Sequence, residues 1–94
     1  MPNFTTRVEL HHADGDDYEN LHTAMEGQGF SRTIKSGDGV TYHLPTAEYD
    51  RRGAALTSDT VLASAKMAAS STGKRYSILV TESNGRKWTG LQKA

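Results

Sequence analysis

With 94 residues, the chain has length for one domain and one thin core, so residues 1–94 are read as a single domain. Eleven basic residues balance eleven acidic ones, and this zero net charge argues against a nucleic-acid coat protein or a polybasic membrane binder. Cysteine is absent, which excludes disulfides, a thiolate nucleophile and zinc–thiolate sites. No apolar run approaches the roughly 18 residues that span a bilayer, and none at the start resembles a signal peptide. The expectation is a cytoplasmic protein without a membrane partner.

Phe4, Thr6, Val8 and Leu10 alternate with Thr5, Arg7, Glu9 and His11, which predicts a strand over 4–11 with one buried face. The turn from Ala13 to Asp16 ends it. Asp16 and Glu19 have capping-box spacing, and Tyr18, Leu21 and Met25 make an apolar stripe, so a helix is expected over 17–28. Gly27 and Gly29 suit its end.

A second strand is expected over 30–36 and a third over 40–44, joined by the turn Ser36-Gly37-Asp38-Gly39. Pro45 cannot donate to a ladder, so the third strand should bend, bulge or lie at an edge there before resuming at 47–49. Thr57 or Ser58 is placed to cap a second helix carrying Val61, Leu62, Ala65, Ala68 and Ala69. Tyr76, Ile78 and Val80 alternate in a fourth strand. Asn84-Gly85 is a hairpin signal, from which a fifth strand over 86–91 with Trp88 is expected. The order is α+β: a ferredoxin-like βαββαβ two-layer sandwich with an added C-terminal strand. Helices on one face would leave the other, with Arg7, Glu9, His11, Lys35 and His43, open to RNA, a peptide or another protomer.

Candidate chemistry is sparse. His11-His12-Ala13-Asp14 is the densest polar stretch, either a site at the end of the first strand or a solvated loop whose aspartates cap the helix. It matches no metal signature, and no metal or other cofactor is expected. His22 adjoins the apolar stripe, as a general base or as a boundary residue beside the core. His43, Arg32, Arg51 and Arg52 are candidates for phosphate contacts, set against ordinary surface charge. Trp88 either plugs the core or anchors a partner.

Over residues 5–82 the pattern resembles the GhoS family, antitoxins of type V toxin–antitoxin systems. The resemblance is carried by the first strand with its aspartate-containing turn, the helix ending in Gln28-Gly29-Phe30-Ser31, the central hairpin, and the helix over 58–71 before the fourth strand. It implies a ferredoxin-like fold similar to small CRISPR-associated ribonucleases, and endoribonuclease cleavage of a toxin messenger RNA. The family's helix-one arginine, implicated in cleavage, falls near His22, where this chain departs from it. The aspartate that the CRISPR-associated enzymes use after strand one has Asp14 as its nearest counterpart. Asp14 and His22 are thus the implied catalytic residues, with Arg32, His43, Arg51 and Arg52 contacting RNA. The alternative is a non-enzymatic protein-interaction module of prophage origin acting through the open sheet face or the tail strand. A homodimer through the sheet or the C-terminal strand would add buried area.

Overall fold

The expected alternation forms β1 (Asn3–Leu10): Phe4, Thr6, Val8 and Leu10 are buried, and Arg7 and Glu9 are exposed. The computed structural model describes residues 2–94. β1 is the middle of a three-stranded antiparallel sheet. It pairs along its whole length with β5 (Tyr76–Ser83) on one side, and from Asn3 to Arg7 with β4 (Glu48–Arg52) on the other. Outside β4, Ser31 and Asp50 exchange backbone hydrogen bonds of 2.7 and 2.8 Å. The segment leaving the first helix therefore flanks the sheet at a single bridge.

That segment continues into β2 (Thr33–Lys35), which pairs with β3 (Thr41–His43) in a separate two-stranded ribbon. Ser36 and Val40 close the turn, with Gly39 at a φ of +88° that favours glycine. The third expected strand breaks rather than bends at Pro45. Its first part joins the ribbon as β3 and its second joins the main sheet as β4, with Ala47 at a φ of +68° between them.

Helix α1 (Gly15–Gly27) starts earlier than expected. Its capping box is Asp14 with Asp17, not Asp16 with Glu19: the Asp14 carboxylate accepts from the Asp17 amide, and Asp17 accepts from the Asp14 amide. The cause is His12, whose φ of +54° turns the chain as soon as β1 ends. Helix α2 (Ser58–Ser70) is capped by Thr57 in a box with Thr60. Both helices cover one face of the main sheet. Leu21, His22 and Met25 from α1 and Val61, Ala65, Ala68 and Ala69 from α2 pack over Phe4, Val8, Leu10 and Tyr49.

The expected strand over 86–91 does not form. The tight hairpin turn needs a positive φ at both central residues, and Asn84 lacks it although Gly85 has a φ of +130°, so Asn84-Gly85 does not fold the chain back alongside β5. The tail instead crosses the sheet face opposite the helices and pairs only at its end. His43 donates to the Gln92 carbonyl at 2.9 Å, and Ala94 donates to Thr41 at 3.0 Å. No helix is long and apolar enough to cross a membrane among the described residues.

Candidate nucleic-acid interface

Asp14 and His22 are not brought together. Asp14 is exposed at the start of α1, engaged as its cap. Hydrogen bonding from the Asp17 amide holds its carboxyl below the usual carboxylate range, so it is an acceptor and not a proton donor at neutral pH. His22 lies eight positions on, about 12 Å along the helix axis, and faces the core. It is 5% exposed, with Nδ1 2.6 Å from the Tyr49 hydroxyl. Burial lowers the His22 pKa from its ordinary 6.5, and the positive charge of Arg32 adds to the effect. Burial pushes the Tyr49 phenol up to about 12, so it stays protonated and can donate to the neutral imidazole. This pair ties α1 to β4 inside the core.

The four candidate RNA contacts are also dispersed. Arg51 and Arg52 are neighbours on a strand and point to opposite faces of the sheet. The Arg51 guanidinium lies over the Phe30 ring at 5.3 Å and donates to the Gln28 carbonyl, closing the end of α1. Gly29 admits it: the φ there is +91°, and a Cβ would stand 3.0 Å from the Arg51 guanidinium carbon. Arg52 pairs with Asp50 on the other face at 3.4 Å. Arg32 is exposed on the helix side near His22 and Tyr49, and His43 is exposed on the ribbon.

A different set of residues converges where the tail crosses the sheet. Asp50 is 6% exposed although its strand neighbours leave it on the face without helices. Arg86 covers it, with Nη1 2.9 Å from Asp50 Oδ1 and 3.3 Å from the Thr5 hydroxyl. Oδ1 makes no hydrogen bond of regular geometry, so the buried charge is met by two ion pairs, the closer to Arg86 and the longer to Arg52. Two residues on, Trp88 packs edge-on against Tyr42 with ring centroids 5.4 Å apart. Between the tail and the sheet lies a cleft of about 320 Å³, lined by Thr5, Ile34, Leu44, Pro45 and Glu48 on one side and Arg86, Lys87, Trp88 and Leu91 on the other. An indole lining a cleft together with two cationic side chains, one of them already paired with Asp50, is suited to stacking a planar ring near a phosphate.

Of the residues expected on the open face, Arg7 and Glu9 line a shallow depression there with Ser77 and Leu79, whereas Lys35 and His43 lie on the separate ribbon. His11 stands at its end, exposed, with Nε2 2.9 Å from the Ser77 hydroxyl and 3.8 Å from the Glu9 carboxylate. Among the described residues no three His, Asp or Glu side chains are grouped to hold a metal ion. Trp88 was visible in the sequence as the lone tryptophan, and His11 as one of a dense polar stretch. Arg86 carried no signal, because its partner is 36 positions away in a strand whose alternation places Asp50 in solvent. Comparison with family models and with characterised proteins finds no match.

Proposed function

We propose that this chain is a ferredoxin-like βαββαβ domain, cytoplasmic, that binds single-stranded RNA across the sheet face its helices leave open, in the manner the GhoS resemblance implies. The order β5-β1-β4, with Ser31 bridged outside β4, supports the fold reading. The observation that carries the RNA reading is the Trp88 cleft, where an aromatic ring braced by Tyr42 shares the lining with Arg86 and Lys87. Single-stranded RNA is recognised by such stacking, each base contributing about 1–3 kcal/mol, with cations following the backbone. The zero net charge fits a local patch rather than a charged coat. The activity implied by the resemblance is cleavage of the bound strand. Exposure of His11 on the open face supports it, over the buried His22, as the imidazole for proton transfer there.

The test is titration of short mixed-sequence RNA into the protein, read by fluorescence of its single tryptophan. The expected result is a Trp88 signal that saturates at low salt, weakens with added salt, and an affinity that falls about tenfold in Trp88→Tyr or Trp88→Ala when read by RNA anisotropy. Absence of binding at low salt, or binding indifferent to Trp88, refutes the reading. RNA cut by wild type and by His22→Phe but not by His11→Ala supports the His11 assignment; cutting that survives His11→Ala overturns it.

A further inference from the structure

β5 is the outer strand of the main sheet, and no described residue pairs with its outer edge. His11 donates to the Arg75 carbonyl at 2.8 Å, which sets the alternation of the β1–β5 ladder. The odd residues of β5 direct their backbone groups to β1, so Tyr76, Ile78, Val80 and Glu82 direct N–H and C=O groups outward. Natural edge strands are blunted by lysine, proline or bulges. From Tyr76 to Thr81 this edge has none and carries no charge. Charges lie only at its ends: Lys74 and Arg75 before it and Glu82 within its last turn of the ladder. The exposed large hydrophobic residues among those described, Met67 and Leu79, each 65% exposed, flank this same edge. Leu79 is on the open sheet face, and Met67 projects from α2 beside Tyr76.

We propose that the outer edge of β5 pairs antiparallel with β5 of a second copy of this chain, about a two-fold axis passing through Leu79. The register sets Leu79 against Leu79, Ser77 against Thr81, Ile78 against Val80, and Tyr76 against Glu82. Each pair joins residues of one parity, so both copies keep their helices on one side and their open faces on the other. A second copy fits better than an unrelated strand because the edge is self-complementary. The two-fold brings the Lys74–Arg75 end of each strand beside the Glu82 end of the other, and makes every contact off the axis twice. It also covers Leu79 on one face and brings the two Met67 side chains toward each other on the other. The Trp88 cleft lies across β1 from this edge, so the assembly leaves that cleft uncovered.

Sedimentation equilibrium of the full chain tests it, at up to about 100 μM, where an interface of micromolar Kd is saturated. The expected mass is twice 10.2 kDa. The cysteine-free chain allows a register test. Leu79 is a non-hydrogen-bonded pair with itself, at a Cα spacing of about 4.5 Å, within the range that a disulfide spans. Leu79→Cys should form a covalent dimer under mild oxidation at least tenfold faster than Ser77→Cys. Leu79→Lys sets two like charges face to face, and Val80→Pro removes an outward N–H without breaking the β1 ladder. Both should be monomeric with unchanged far-UV circular dichroism. A wild type monomeric throughout the range overturns the proposal, as does a dimer that persists in both variants or faster crosslinking of Ser77→Cys.

Discussion

The two faces of the main sheet are held by different kinds of contact. On the helix face, Phe4, Val8, Tyr49, Leu21, Met25, Val61 and Ala65 have no exposed surface and interlock as one apolar cluster. On the other face the covering element is a tail fastened at a few points: the Arg86–Asp50 ion pair, the Trp88–Tyr42 edge contact, and two backbone hydrogen bonds to β3. Burial of each large side chain on the first face stabilises by roughly 2–3 kcal/mol and needs no particular partner. The second face depends on single pairs whose loss frees the segment. Stability is thus concentrated under the helices, and the surface able to open for a ligand is the one under the tail.

Removing the strongest of those fastenings should break the comparison most. Arg86→Ala leaves Asp50 buried with only Arg52 at 3.4 Å. A buried charge stripped of its better partner costs about 2 kcal/mol, more than a surface ion pair returns. The expected outcome is a lower denaturation midpoint together with rapid proteolysis beyond Ser83. The companion Asp50→Asn in the same background should recover most of the loss, because the uncompensated charge is then gone. If Arg86→Ala leaves both midpoint and tail protection unchanged, the ion pair does not hold the tail.

Legibility in the sequence follows the same division. The helix face was readable because its residues announce themselves by local period: two for β1 and β5, and a helical stripe for Leu21 and Met25. The missing N–H of Pro45 predicts a bend, a bulge or an edge there, but not a break that assigns the two halves to different sheets. The tail face was not readable. Arg86 and Asp50, like His22 and Tyr49, are pairs between distant segments, and no spacing within either segment reveals the other. Asp14, which the resemblance marks for chemistry and the polar stretch marks for a cap, caps α1 in a box with Asp17 in place of the Asp16–Glu19 box that local spacing suggests.

His22 gives the next largest effect, through pH. Its pKa is lowered in the folded chain, so the native state binds the proton less readily than the unfolded one. Stability from the His22–Tyr49 contact is therefore fully present above about pH 6.5, the unfolded value, and is lost as pH falls below it through the folded value. One proton limits the slope to about 1.4 kcal/mol per pH unit. His22→Gln removes the titration while keeping an acceptor for the phenol, so its stability should vary less than wild type between pH 7 and 5. Equal acid sensitivity in the two proteins would show that another group is responsible.

The smallest effect separates the two faces at adjacent residues of one strand. Thr6 faces the helices, has no exposed surface, and its hydroxyl has no hydrogen-bond partner. Thr5 faces the tail, where its hydroxyl bonds Ser83 at 3.1 Å and accepts from Arg86 at 3.3 Å. Valine replaces a threonine hydroxyl by a methyl of similar size. At Thr6 it removes a desolvated polar atom that nothing offsets, so Thr6→Val should stabilise by about 1 kcal/mol. At Thr5 the same change deletes two hydrogen bonds, leaves the Arg86 guanidinium one acceptor short, and should destabilise by about 1 kcal/mol. Urea midpoints read both, with unchanged m-values confirming that the surface exposed on unfolding is the same. Shifts of the same sign would mean that the faces do not differ in how they treat a buried hydroxyl. Opposite signs one residue apart can arise only if β1 separates an apolar core from a polar, partner-dependent cover.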